Sequence, residues 1–205
     1  MSNYNQVFEN NKQWAAAKGA SNETFFEHLS KGQSPEFLYI GCADSRVPAA
    51  AIMGLEPGDV FVHRNVANVV SESDPNVNAV IQYAVAHLGV KHIVVCGHTE
   101  CGGVKAAMGP ALDGDLETWV GKIRSVKENH AAELNAIADE NARYNRLIEL
   151  NVQDQCDNIL KNPAVAEALK GDNAPSVHGW LYSLSSGTLK DLGYDLDAGL
   201  SRVNG

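Results

Sequence analysis

Apolar residues along this chain recur in two rhythms, and the rhythms alternate. The first thirty residues carry a loose helical stripe through Val7, Phe8, Asn11, Trp14 and Ala15, and Asn22, Glu23 and Thr24 offer a start for a second short helix. Residues 37–42 are then almost continuously apolar and end on Gly-Cys, which suits a buried strand. Residues 60–64 alternate better and read as another strand. Residues 76–87 return to helical spacing, with Val77, Val80, Ile81, Ala84, Val85 and Leu88 along one face. Residues 92–97 repeat the buried-strand pattern and run into glycine-rich sequence that opens a helix.

Residues 117–160 are predicted mostly helical. One side is charged; the other is apolar through Trp119, Val120, Ile123 and Val126, then Leu147, Ile148, Leu150 and Val152. Asn162-Pro163 punctuates this stretch, and Pro163 can open the next short helix. Residues 176–182 and 188–192 read as two strands joined by a turn at Ser185-Ser186-Gly187. Strands alternating with helices predict an α/β fold: a mainly parallel sheet of about four to five strands flanked by helices, with an N-terminal helical arm. No repeat, low-complexity tract or linker divides the chain. Residues 1–205 are therefore expected to form a single domain, with 1–30 as the arm and 35–205 as the α/β core. The arm either covers the core or packs on another subunit.

Composition narrows the function class. The apolar fraction is 44%, the charged fraction 20% and the formal net charge -9. Nucleic-acid binders usually carry a basic face, so that class is disfavoured. No apolar run approaches the ~20 residues of a membrane helix, and the first residues lack the apolar core of a secretory leader. A cytoplasmic protein is expected. Its four cysteines, Cys42, Cys96, Cys101 and Cys156, then read as ligands, nucleophiles or buried residues rather than disulfides.

Two short motifs follow the two clearest strands: Cys42-Ala43-Asp44-Ser45-Arg46 and His98-Thr99-Glu100-Cys101-Gly102-Gly103. Loops leaving the carboxyl ends of parallel strands share one edge, where sites collect. A helix starting in the second motif would bring His98 and Cys101 to one point. Cys42, His98 and Cys101 make a two-sulfur, one-nitrogen set, and catalytic zinc takes three protein ligands and keeps one open position. On spacing alone, three unrelated residues remain an equal reading. In an extended segment Asp44 and Arg46 would point the same way, and an Asp beside an Arg stays ionised. Out of context, a loop salt bridge of purely structural value is the better reading of such a pair. Cys96 and Cys156 read as small buried residues, and His28, His63, His87, His92, His130 and His178 have no ligand partner at convincing spacing.

Cys42-x-Asp44-x-Arg46 with His98-x-x-Cys101-Gly102-Gly103 resembles the β-class carbonic anhydrases. The resemblance covers nearly the whole chain. Residues 10–14 are similar to the family's N-terminal helix, 61–68 to the segment after its second strand, and 176–182 to its late strand. It implies one zinc ion per chain, held by Cys42, His98 and Cys101. It also implies reversible hydration of carbon dioxide to bicarbonate and a proton by zinc-bound hydroxide, with Asp44 orienting the hydroxide and Arg46 holding Asp44. Two thiolates offset the metal's charge, so activity is expected to rise above neutral pH. Phe61, Val66 and Tyr83 would line the substrate pocket, and Gln33 with the backbone of Gly102 would hydrogen-bond the substrate oxygens. Out of that context the three apolar residues read as core packing, and Gln33 as a solvated amide. In the family some of these groups come from a neighbouring subunit, which implies a homodimer or homotetramer.

Some members close the site by binding zinc through the residue matching Asp44, and they bind bicarbonate around a Trp, an Arg and a Tyr. Here Arg64 and Tyr182 match, but Tyr39 stands where the Trp would be, and a phenol lacks the indole N–H. An open site with water as fourth ligand is expected. Two other functions share the motifs: a carbon disulfide or carbonyl sulfide hydrolase on the same scaffold, and a non-catalytic zinc or thiol module. A structural site needs no Asp44–Arg46 pair, which counts against the module.

Overall fold

The computed structural model describes residues 3–205. The chain divides into two compact units, one ending at Ser34 and the other Pro35–Gly205. The first unit holds α1 (Tyr4–Ser21), capped by the Asn3 side chain, and α2 (Phe25–Ser30). None of the residues of α1 is buried. Within this unit Trp14 meets Phe26 edge-on at 5.7 Å.

In the second unit, among the described residues, five strands form one sheet in the order β2-β1-β3-β4-β5. They are β1 (Phe37–Cys42), β2 (Val60–Asn65), β3 (His92–His98), β4 (Ser176–Tyr182) and β5 (Leu189–Asp191). The first four are parallel; β5 returns antiparallel on β4. The parallel centre explains the unbroken apolar runs. Leu38, Ile40, Ile93 and Val95 enter a core on one face, and Tyr39, Val94 and Cys96 enter a core on the other. The register pairs Gly41 with Cys96, so the carboxyl ends of β1 and β3 finish side by side.

The helices of this unit are α3 (Ala49–Met53), α4 (Pro75–Gln82), α5 (Gly102–Met108), α6 (Gly114–Asn129), α7 (Ala131–Ala136), α8 (Glu140–Leu160), α9 (Pro163–Ala168) and α10 (Leu196–Asn204). The stretch 117–160, expected mostly helical, is three helices, broken at His130 and again at residues 137–139. Residues 76–87, read as one helix, change character: after Gln82 the chain widens into a π-helical turn, Tyr83–Leu88, ended by left-handed Gly89. Burial explains α8. It hides ten residues, among them Asn151 and Gln155, which polarity alone would assign to its wet side. No described helix is long and apolar enough to cross a membrane.

Candidate metal centre

Cys42 is the last residue of β1 and His98 the last of β3, so the sheet itself delivers a sulfur and an imidazole to one edge. Cys101 reaches them differently from the helical spacing expected. His98 is still strand; the chain then turns through Glu100, held left-handed at φ 58°, and Cys101 caps α5. The tight turn, not a helix, brings the two side chains together. Tyr144 on α8 holds this turn by donating its hydroxyl to the Cys101 carbonyl at 2.9 Å.

The donor atoms of Cys42, His98 and Cys101 all lie within 4.8 Å of one another, and the two sulfurs are 4.0 Å apart. His98 is completely buried. Its Nδ1–H donates to the Thr99 carbonyl at 2.8 Å, which leaves the lone pair on Nε2. That Nε2 is buried with no hydrogen-bond partner. A buried lone pair without a donor is costly, and a cation among two sulfurs and this nitrogen satisfies it. The residues therefore fit a thiophilic divalent metal such as zinc.

Electrostatics agree with a cation site. Cys42 is lowered to about 4, first by the hydrogen bond from Cys101, with the Ala67 N–H (3.4 Å from the sulfur) adding to it. Cys101 is raised, first because it gives its S–H to the Cys42 sulfur, then by burial and by the thiolate of Cys42 that it would face. The two sulfurs compete for one negative charge, and a divalent ion removes the competition.

Asp44 and Arg46 come together, though not through strand alternation. Residues 45–46 form a turn in which Asp44 Oδ1 accepts the Arg46 N–H at 2.9 Å. The Arg46 guanidinium then folds back and grips both carboxylate oxygens, Nε to Oδ1 at 2.9 Å and Nη2 to Oδ2 at 2.7 Å. This bidentate pair, foremost, holds the Asp44 carboxyl well below the usual carboxylate range. Asp44 Oδ2 stands 3.8 Å from His98 Nε2. Arg46 also donates to the Glu100 carbonyl at 3.2 Å, joining the two motifs.

The expected pocket residues are not all gathered. Val66 lies against the start of α5: a Cβ on Gly103 would meet Val66 Cγ1 at 2.8 Å. Gly102 faces open space. Phe61, however, pairs in register with Leu38, four residues before Cys42, or about 13 Å along the strand. It packs on Tyr83, which is 47% exposed, as a separate patch of rings. Gln33 is an exposed residue of the first unit. Cys96 and Cys156 are buried, and burial raises both thiols.

A sequence model of the carbonic anhydrase family matches residues 37–189. A relative from Emericella nidulans, named carbonic anhydrase, is 50% identical over 200 residues, covering 98% of this chain and 88% of its own. A tetrameric β-carbonic anhydrase of Sordaria macrospora superposes with a TM-score of 0.88 at 46% identity, over 93% of this chain and 96% of that one. A β-carbonic anhydrase of Aspergillus fumigatus gives 0.91 at 41% identity, over 98% and 96%. With this fold, these matched motifs at the sheet edge and these relatives, the chain belongs to the β-class carbonic anhydrases.

Proposed function

We propose that this chain hydrates carbon dioxide reversibly to bicarbonate and a proton, using one zinc ion held by Cys42, His98 and Cys101. The observation that carries the reading is the unpartnered, buried Nε2 of His98 facing two sulfurs, with the ionised Asp44 beside it. When bound, zinc acts as a Lewis acid that makes hydroxide available near neutral pH. Asp44 accepts the O–H of the attacking oxygen and so turns a lone pair toward the carbon. Arg46 keeps Asp44 ionised and fixed. Because Arg46 holds both carboxylate oxygens, Asp44 stays an orienting group rather than a fourth ligand, which supports the open form of the site. The Gly102 N–H and Gln33 hydrogen-bond the substrate oxygens, and Phe61, Val66 and Tyr83 shield the carbon from bulk water.

Assembly belongs to this reading. Phe61 stands about four strand residues from the end of its own chain's β1, so the Phe61–Tyr83 patch serves a neighbouring chain's metal centre in a homodimer or homotetramer. The decisive experiment is stopped-flow hydration with parallel metal analysis, on native protein and Cys42→Ala. One zinc per chain and fast hydration, both lost in the variant, are expected; native protein without either defeats the reading.

A further inference from the structure

The turn after β2 is strained, and the groups that hold it come from far away in sequence. Ala67 and Asn68 are consecutive non-glycine residues in the left-handed region, with φ of 62° and 49°. Such a conformation persists only where the surroundings over-determine it. Asn65 closes the turn on itself, accepting the Val69 N–H at 2.8 Å and donating to the Val69 carbonyl at 2.7 Å. From α8, Asn151 donates to the Ala67 carbonyl at 3.0 Å. Gln155 donates to Asn151 Oδ1 at 3.1 Å and accepts the Val70 N–H at 2.8 Å. Asn151 and Gln155 are only 1% and 2% exposed. Burying an amide is unfavourable unless it is hydrogen-bonded, and both are committed to this one stretch of backbone.

The two peptide units that meet at Ala67 Cα have different partners. The Ala67 carbonyl, in the 67–68 peptide, faces Asn151, and the Ala67 N–H, in the 66–67 peptide, faces the sulfur of Cys42 at 3.4 Å. On the other side, a Cβ on Gly103 would meet Ala67 Cβ at 3.0 Å, so the turn also bears on the start of α5. Tyr144, seven residues before Asn151 and on the same helix face, holds the Cys101 carbonyl. One helix therefore reaches the backbone beside both sulfurs.

We propose that Asn151, backed by Gln155, is a positioning residue of the metal centre: by holding the left-handed backbone of Ala67 from its carbonyl side it fixes the N–H···S bond on Cys42 and sets how firmly that sulfur holds a divalent metal. This rests on the reading of Cys42, His98 and Cys101 as ligands. Outer partners of ligands commonly matter in this way. Gly or Ser would relax the turn but leave a cavity in α8; Leu at 151 keeps the size and removes the donor.

The test loads cobalt(II) or zinc into native protein, Asn151→Leu, Gln155→Met and a control, Ile159→Val, which trims the same helix inside the other core. Losing the N–H···S bond raises the sulfur lone pair in energy. The sulfur-to-cobalt charge-transfer band should therefore move to longer wavelength in Asn151→Leu, less so in Gln155→Met, and not in Ile159→Val. Zinc affinity against a competing chelator should fall about 10-fold to 100-fold in Asn151→Leu. An unmoved band and unchanged affinity in both amide variants overturn the proposal. If Asn151→Leu does not fold, Gln155→Met decides it by the same two readings. If native protein shows no charge-transfer band and takes up no stoichiometric metal, the ligand reading itself falls and this proposal with it.

Discussion

Arg64 holds Asp44 by its backbone: Nη2 donates to the Asp44 carbonyl at 2.6 Å, while Nε of the same guanidinium donates to the Cys42 carbonyl at 2.9 Å. The edge strand β2 thus fixes the loop that carries both a sulfur and the carboxylate. The guanidinium that the family resemblance would assign to a bicarbonate site is committed here to two loop carbonyls.

Arg64→Lys tests this commitment. A lysine has one nitrogen and cannot span both carbonyls in the same geometry. Losing one charged hydrogen bond should cost about 1.5–3 kcal/mol. The melting temperature should fall, and kcat/KM should fall with it, because Asp44 loses its fixed height over the cluster. A variant with native melting temperature and native kcat/KM would show that the two bonds do not position the loop.

Asp44→Ala separates orientation from metal binding. Asp44 touches Arg46 and stands beyond hydrogen-bond reach of His98, at 3.8 Å. Its loss should leave zinc content at one per chain while turnover drops by about 10²-fold, a common scale for losing the alignment of a reacting group. Elemental analysis and stopped-flow hydration on the same sample read the two effects. Loss of zinc along with activity would make Asp44 a ligand instead.

The sheet and the three donor residues were legible in the sequence for a physical reason. β1 and β3 are central and parallel, so they must be apolar on both faces, and the polar residues that interrupt them, Cys42 and His98, mark where the sheet stops. The Asp44–Arg46 contact was legible as a pair, but its cause was not: a side chain accepting the N–H two residues on makes a local turn, and extended alternation predicts the same partners. Asn151 and Gln155 were not legible. Amides on a charged helix read as a solvated face, and their partners lie 84 and 85 residues away. Left-handed Ala67 carries no glycine to announce it; the local Asn65–Val69 bonds and those long-range bonds together hold it. The separation of Phe61 from its own Cys42 depends on strand register, which motif spacing does not encode.

Asp154 gives a pH dependence away from the metal centre. It accepts from His130 Nε2 at 2.9 Å, with Asp157 and Arg202 also nearby. Burial outweighs the histidine and raises its carboxyl above the usual value. A raised folded value means that the native state holds the proton longer than the unfolded chain. Stability is then fullest below the ordinary carboxylate value of about 3.9 and declines as pH rises through the folded value. Asp154→Asn keeps the acceptor for His130 and removes the titration. Its melting temperature should therefore gain on the native protein as pH rises from about 4 to 6, the window above the ordinary value. Parallel curves across that range would mean that Asp154 titrates normally.

Metal removal should expose the inequality of the four thiols. Only the thiolate attacks an alkylating agent, so reactivity follows the ionised fraction and access. Cys42, lowered to about 4 chiefly by the hydrogen bond from Cys101, is ionised throughout pH 6–8 once the metal is gone. Cys96, raised to about 11 by burial, stays protonated over the same range, and burial holds Cys156 well above the usual thiol value too. Cys42 is 6% exposed, against 1% for Cys96 and 0% for Cys156. After chelation, iodoacetamide should label Cys42 first, at a rate that hardly changes between pH 6 and pH 8, because its ionisation is complete well below that range. Peptide mapping by mass spectrometry identifies the site, and added zinc should protect it. Labelling that begins at Cys96, or a Cys42 rate that climbs tenfold per pH unit, would show that the first thiolate of the pair does not form where its neighbours favour it.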